Sequence, residues 1–416
     1  MKNVKKMITL SVAAWMVLAT GISASIQTAH ADENDGAYLD PPYTGPKGLL
    51  KKAPTIVKNL DGSISILEDR NPLTAPKRND VLKVIGNQTP VRSQASRGTC
   101  SIFSATAALE SMLIIEKRQA KSLDLSEEWL EYIIMRTQGS EGSSTFANFR
   151  ALQKFGSPKE ALLPYLGETW TDLNFSSLAN TRCSKAAPEL LQHCLLGHRD
   201  PKLLLATDAE LTGAGSVLRD VEFAAARTDA FKLRDKTLKT ISFNSFVSTT
   251  DDVKNLLDKG IPVVLDIDFY YGAWNHSKAS VKNIGRDLDA WSKGLVGYPE
   301  FGSVDFEESR NDPAGHSVVL VGYDDERELV TEVKMKDGTM KKHTYKGVYF
   351  FKNSWGTGNF STANDIAGKI FPGYGIITQK YANEYGGFFQ LQFGPGTTPR
   401  PLVAPRPRTP RPDPLP

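Results

Sequence analysis

Apolar positions recur with helical spacing in the first half of the chain and fall into short continuous runs in the second. From Cys100 to Lys117 neither Pro nor Gly interrupts a helix-compatible pattern, and Cys100 stands at its first position. A second helix is expected from Ser126, whose hydroxyl can cap it. Glu127 and Glu128 fall in the first turn, where the helix dipole favours acids, and Trp129, Tyr132 and Ile133 continue it. A third runs from about Thr145 to Phe155 and stops at Gly156, suited to the left-handed C′ position. From Gly167 to about Thr240 the periodicity weakens and yields no element order.

Strand signals then take over. A short helix, Thr250–Lys259, ends at Gly260, and PVVLDIDF (Pro262–Phe269) reads as a strand. Asn275–Ala314 is polar and loop-like, too long for a turn. HSVVLVGY (His316–Tyr323) is a continuous apolar strand. Glu332–Met335 and Lys342–Asn353 flank Asp337-Gly338, a hairpin-turn signal. Tyr374–Thr378 and Phe388–Phe393 add two more strands. Helices first and strands after argue for an α+β fold with segregated layers rather than an alternating parallel sheet.

The two ends differ from this body. Lys2, Lys5 and Lys6 precede the mostly apolar Met7–Ile22, and Ala29-His30-Ala31 has a small-x-small pattern, so residues 1–31 read as a cleavable export signal. The apolar run is shorter than a spanning helix needs, and no later segment is apolar enough for one. Residues 32–77 form an extended lead-in, with one apolar island at Ile64–Leu67. The folded body is expected over 78–393, with insertions at about 167–240 and 275–314. Residues 394–416 are rich in Pro and Arg and expected to be extended. That tail reads as a solvated spacer, with docking to a partner as the alternative.

Charge and cysteine content narrow the chemistry. The net charge of +3 equals the three lysines of the leader, which holds no acid, so the remaining chain is neutral. Removing the tail, with Arg400, Arg406, Arg408 and Arg411 against Asp413, leaves a slightly acidic body and no nucleic-acid surface. Of three cysteines in an oxidising compartment, Cys183 and Cys194 are close in one segment and form the expected disulfide, leaving Cys100 as the free thiol. His193, His198, His276 and His343 make no convincing metal set, and no cofactor is implied.

A Cys at a helix start is either an activated nucleophile or a buried structural residue. Gln94, six residues upstream, can present its amide beside the Cys100 N–H toward a developing oxyanion. His316 opens an apolar strand after Pro313-Ala314-Gly315, where it can serve as acid and base. Asn353, in FKNSWG, can orient that imidazole, with Trp355 covering the pair.

Together these segments resemble the papain-like cysteine peptidases. PVRSQASRGTC (Pro90–Cys100) is similar to that family's oxyanion-Gln-to-Cys segment, Asp124-Leu125-Ser126-Glu127 to its second helix start, and Leu163-Pro164-Tyr165 to its "YPY". GHSVVLVGYD and FKNSWGTG are similar to its His and Asn motifs, and Gly373-Tyr374-Gly375 to its "GYG" strand; the order Cys, His, Asn is also the family's. Gly142-Ser143 falls where the family often has a Gly-Gly pair lining the substrate cleft. Two departures stand near the nucleophile: Arg97 where a disulfide Cys is common, and Ser101 where Trp is usual.

The resemblance implies a two-lobed fold, with a helical lobe around the Cys helix and a β-barrel-like C-terminal lobe. It further implies an enzyme that hydrolyses peptides or proteins through Cys100, His316, Asn353 and Gln94, exported as the leader directs and expected to act as a monomer. A catalytically silent binding protein and an acyl-transfer transpeptidase or amidase are the alternatives. The lead-in is short for the family's inhibitory propeptide, so either a small propeptide lies there or none is needed.

Overall fold

The computed structural model describes residues 39–45, 47–48, 56–58, 64–66, 74–117, 119–238, 241–242 and 246–393. The leader and the Pro-rich tail lie outside the described residues. Among the described residues, no helix is long and apolar enough to cross a membrane.

The helical half follows the pattern of its apolar positions. The helix Cys100–Lys117 is buried from Cys100 to Thr106 and again along most of Ala108–Ile114, so it forms a central rod rather than a surface helix. Glu127–Met135 is capped by Ser126, whose Oγ accepts the Trp129 N–H at 3.0 Å. Thr145–Phe155 is capped by Ser144 and closed by Gly156 at φ +71°. Ile102, Leu109, Trp129, Phe149 and Leu152 share one apolar core.

The second half builds a sheet. Ten strands occur among the described residues: β1 Ile56–Lys58, β2 Ile64–Ile66, β3 Ile241–Ser242, β4 Val263–Phe269, β5 Leu295–Val296, β6 Ala314–Lys334, β7 Met340–Lys352, β8 Tyr374–Thr378, β9 Gly386–Phe389 and β10 Gln392–Phe393. Six form one open sheet in the order β5-β8-β7-β6-β4-β9, antiparallel except for the β5/β8 pair. Where two separate strands were expected on either side of Tyr323, β6 runs unbroken to Lys334. Register shifts at Leu320/Gly322 and Asp324/Glu328 absorb the polar stretch between the apolar ends. Val318, Leu320, Phe351, Ile377 and Phe388 pack the core of this layer, and the Cys100 helix lies against β6.

The two weakly patterned segments are structured. Residues 167–240 contain the helices Ser177–Cys183, Leu191–Gly197, Asp208–Thr212 and Val221–Lys236. Residues 275–314 are not one loop but carry three short helices, Ser277–Val281, Leu288–Ser292 and Val304–Asn311, together with β5. Each is a turn or two long, too short to leave a helical period in the sequence.

Cys183 and Cys194 form the expected disulfide, with Cα atoms 5.7 Å apart, tying Ser177–Cys183 to Leu191–Gly197. It closes a separation of 11 residues. The Cys183→Ala/Cys194→Ala chain is expected to lose about 3 kcal/mol of stability, the chain-entropy value for so short a loop. Urea denaturation of both forms measures it, and addition of dithiothreitol should lower only the wild-type midpoint.

Candidate active site

Cys100 is the first residue of its helix, fully buried, and is the free cysteine. The turn before it is stitched to the segment that follows β7. Gln94 N–H donates to Ser354 O at 2.8 Å, Gly356 N–H to Arg92 O at 3.1 Å, and Ser93 bridges Trp355. This local pairing brings together the Gln94 and Asn353 segments, which lie 259 positions apart. The Gln94 amide is held at both ends: Oε1 accepts from Ser354 Oγ at 2.7 Å and Nε2 donates to Arg97 O at 2.6 Å. Tyr165 OH secures the same turn, donating to Gln94 O at 3.0 Å.

His316 lies in β6, opposite Ile267 of β4, so its ring projects from a rigid paired strand. Its Nε2 donates to Asn353 Oδ1 at 2.8 Å, an assignment that follows from the amide oxygen being an acceptor only. Asn353 Oδ1 also accepts the Ser354 N–H at 2.8 Å, which fixes the amide orientation. The Trp355 ring stacks on His316 at 4.5 Å and 28°, and Trp274 meets the imidazole edge-on at 5.2 Å. His316 Nδ1 is buried without a hydrogen-bond partner. The Cys100 sulfur lies against the backbone N–H of Ser317, the residue after His316.

A segment read from sequence only as an extended lead-in reaches into this site. Asp40 O accepts the Gly315 N–H at 2.7 Å, and the Asp40 carboxylate bonds the Cys100 thiol and the Ser101 N–H. Pro41 lies on Gly142, which has φ +94°; a Cβ there would stand 2.1 Å from Pro41 Cδ. Gly315 is equally constrained, since a Cβ would come within 2.5 Å of Pro41 O. Tyr43 packs edge-on against Phe389, Lys47 Nζ pairs with Asp268 at 2.5 Å, and Gly48 N–H donates to Gly386 O. Residues 39–45 with Lys47 and Gly48 thus form a strap from the nucleophile to β9.

The strap makes the site dry, and the titrations follow. Burial pushes the Cys100 thiol well up, and the Asp40 carboxylate beside it adds to the effect. Burial also raises Asp40 itself, to about 7, against the lowering pull of its bonds to Ser101 and Cys100. Burial drives His316 down to about 3; the Asn353 bond opposes this and His276 reinforces it. A thiolate–imidazolium pair of Cys100 and His316 is therefore not favoured with the strap in place, because neither ion is solvated there.

The remaining sequence candidates are accounted for differently. Gly142 touches the strap, whereas Ser143 Oγ is committed to Ser101 Oγ at 2.8 Å and Asn148 Oδ1 at 2.9 Å. Ser101 thus joins the Cys helix to the Ser143 loop. His198 bonds Glu128 and Glu168 O, and Cys194 is in the disulfide. Among the described residues, no cluster could hold a metal ion. Asp40, Glu141 and Ser354 were missed. Only Ser354 sat inside a recognisable motif.

A buried thiol at a helix start, beside the backbone of a strand whose imidazole is held by an amide, has the groups of a thiol-nucleophile hydrolase site. Residues 75–196 match the papain family cysteine protease model, and residues 213–363 match the Peptidase_C39 like family. Cysteine proteinase 2 of Entamoeba histolytica is 34% identical over 127 residues, which cover 30% of this chain and 38% of that protein. Cysteine proteinase 1 of the same organism is 35% identical over 102 residues, 24% of this chain and 32% of that one. The chain thus spans about a third of the length of the curated relatives it matches. Xylellain, a cysteine protease from Xylella fastidiosa, superposes with a TM-score of 0.44 at 16% identity, covering 85% of this chain and 98% of its own. Over these segments the chain is similar to the papain-like cysteine peptidases.

Proposed function

We propose that the protein is an exported cysteine peptidase, held latent by its own residues 39–48. The observation that carries this reading is one buried constellation: Cys100 beside Ser317 N–H, His316 bonded to Asn353, and Gln94 bonded to Ser354.

With the strap displaced and a peptide in its place, Cys100 gives its proton to His316 Nδ1 and its sulfur bonds the scissile carbonyl carbon. The carbonyl oxygen takes up the negative charge and is received by the Cys100 N–H and the Gln94 amide. His316 then passes the proton to the departing amine as the C–N bond breaks, leaving a thioester. A water attacks the thioester and yields a proton to His316, and as the acid is released the sulfur leaves and takes that proton back, regenerating the thiol and the neutral imidazole. Asn353 keeps Nε2 as the donor nitrogen, so that Nδ1 is the one that exchanges protons. Trp355 shields that bond from water.

The substrate class is peptide or protein, the leader directs export, and the tail serves as a spacer. Arg97 and Ser101, the two departures that motivated a silent binding protein, are absorbed by internal contacts and remove none of the chemical groups.

The test uses the full chain with the strap loosened by Asp40→Ala and Lys47→Ala. It is expected to hydrolyse members of a peptide library, and adding Cys100→Ala should reduce the rate to background. Equal rates with and without Cys100 would sink the peptidase reading and leave the binding one. Product masses with added amines separate hydrolysis from transpeptidation.

A further inference from the structure

Arg97 is fully buried, and its side chain folds back on its own main chain through a second residue. The guanidinium pairs with Glu131 and with Glu141, Nε and Nη2 each lying 2.8 Å from Glu141 Oε1. Nη2 also donates to Leu196 O at 2.8 Å, and Nη1 faces the His198 ring. Leu196 and His198 belong to the segment tied by the Cys183–Cys194 disulfide. The other oxygen of Glu141, Oε2, accepts the Gly98 N–H at 2.9 Å. That N–H is one end of the Arg97–Gly98 peptide, and its other end, Arg97 O, receives the Gln94 amide at 2.6 Å. A peptide unit is planar, so fixing the direction of its N–H fixes that of its C=O.

We propose that Arg97 and Glu141 are positioning residues for acyl transfer, a buried clamp that sets the Arg97–Gly98 peptide plane and through it the Gln94 amide. The inference rests on the peptidase reading and adds to it what holds the oxyanion donor still. Four groups are bound by one guanidinium from different directions, which the rigid fork of Arg provides and the single ammonium of Lys cannot. An amide that shifts by an ångström still lets substrate bind but no longer meets the charge that develops later. The loss should therefore fall on kcat.

The experiment is a double-mutant cycle in the strap-loosened full chain, with kcat and KM for a fluorogenic peptide, melting temperature and the rate of Cys100 alkylation by iodoacetamide. Gln94→Ala is expected to lower kcat about a hundredfold, as loss of an oxyanion donor does. Arg97→Gln should lower kcat at least about tenfold with KM within about threefold, and Arg97→Lys should recover part of that loss. The double variant Gln94→Ala/Arg97→Gln should fall no lower than Gln94→Ala alone, because both act on one bond. Alkylation forms no oxyanion and should stay within about threefold.

Multiplicative losses in the double variant, or alkylation falling in step with kcat, would make Arg97 scaffold only and overturn the clamp. Should Arg97→Gln fail to fold, Glu141→Gln carries the same cycle. A strap-loosened chain no better than its Cys100→Ala form sinks the peptidase reading and the clamp with it. Normal hydrolysis with Arg97→Gln at wild-type kcat sinks the clamp alone.

Discussion

Replacing Asp40 and Lys47 with Ala raises the rate at which iodoacetamide alkylates Cys100 at pH 6 by at least about a hundredfold, because burial and the neighbouring Asp40 hold the thiol well up while the strap is docked. Three effects act together. Loss of the Asp40 carboxyl group removes the hydrogen bond that holds the thiol and, at pH above about 7, a repelling charge. Loss of the Lys47–Asp268 pair frees the far end of the strap. Water then enters, so the helix N-terminus and His316 can stabilise a thiolate. Mass spectrometry of the alkylated chain at timed intervals measures the rate. An unchanged rate would show that the strap does not cover the thiol in solution.

The same contacts determine how the latch responds to pH. Docking raises Asp40 from its ordinary value to about 7, so this group favours docking fully below about pH 4 and ceases to as the pH rises through 7. Burial holds His316 down to about 3 with the strap docked, so this group favours the docked state above about pH 6.5 and ceases to as the pH falls toward 3. Between about pH 4 and 6.5 one proton is taken up at Asp40 and one is given up at His316, and the two dependences oppose each other. The ratio of alkylation rates between the loosened and wild-type chains should therefore be nearly flat over that interval. Asp40→Ala alone removes one side of the balance, and its strap should loosen as the pH falls from 6.5.

How far the sequence anticipated this arrangement depends on the reach of each contact. The helix starts at Cys100, Ser126 and Thr145 are encoded within a few residues, by a cap or by an uninterrupted apolar period, and they lie where the pattern places them. His316 and Asn353 were legible because one sits in an apolar strand and the other directly follows one, each with a distinctive flank, and antiparallel pairing of β6 with β7 makes them neighbours. Asp40 was not legible: a lone acid between Leu39 and Pro41 carries no local signal, and its partners Cys100, Ser101 and Gly315 lie 60, 61 and 275 positions away. Arg97 stood out only as a departure from a resembling family. Its meaning needed Glu131, Glu141 and Leu196, which reach it from three other segments. The helices of 167–240 were hidden for another reason. Ser177–Cys183 and Leu191–Gly197 bury Ala179, Cys183, Cys194 and Leu195 in a small cluster of their own, and Val221–Lys236 buries mainly alanines, so no sustained apolar period marks them.

A second large effect is expected immediately behind the site. Lys352 ends β7, next to Asn353, and is 4% exposed, and its Nζ donates to Thr89 Oγ1 at 3.1 Å. Thr89 in turn bonds Glu110 Oε2, and Glu110 Oε1 accepts the Leu125 N–H at 2.7 Å. Lysine, hydroxyl and carboxylate thus form a chain joining the sheet to the Cys100 helix. Burial pulls Lys352 down to about 8, while Glu110 and Glu127 hold it up. Lys352→Met leaves Glu110 buried without its countercharge and is expected to cost about 3–5 kcal/mol, the loss seen when one partner of a buried pair is removed. Neutralising the orphan as well, in Lys352→Met/Glu110→Gln, should recover most of it, since the penalty lies in the unpaired charge rather than in a lost attraction. The lowered lysine also fixes a sign. Its folded-state value lies below the ordinary one near 10.4, so wild-type stability should gain from this group as the pH rises from about 8 to 10.4, and both variants should lack that gain. Urea denaturation across that range reads all three. A single variant as stable as wild type, or a double variant no better than the single, would mean that water rather than Lys352 compensates Glu110.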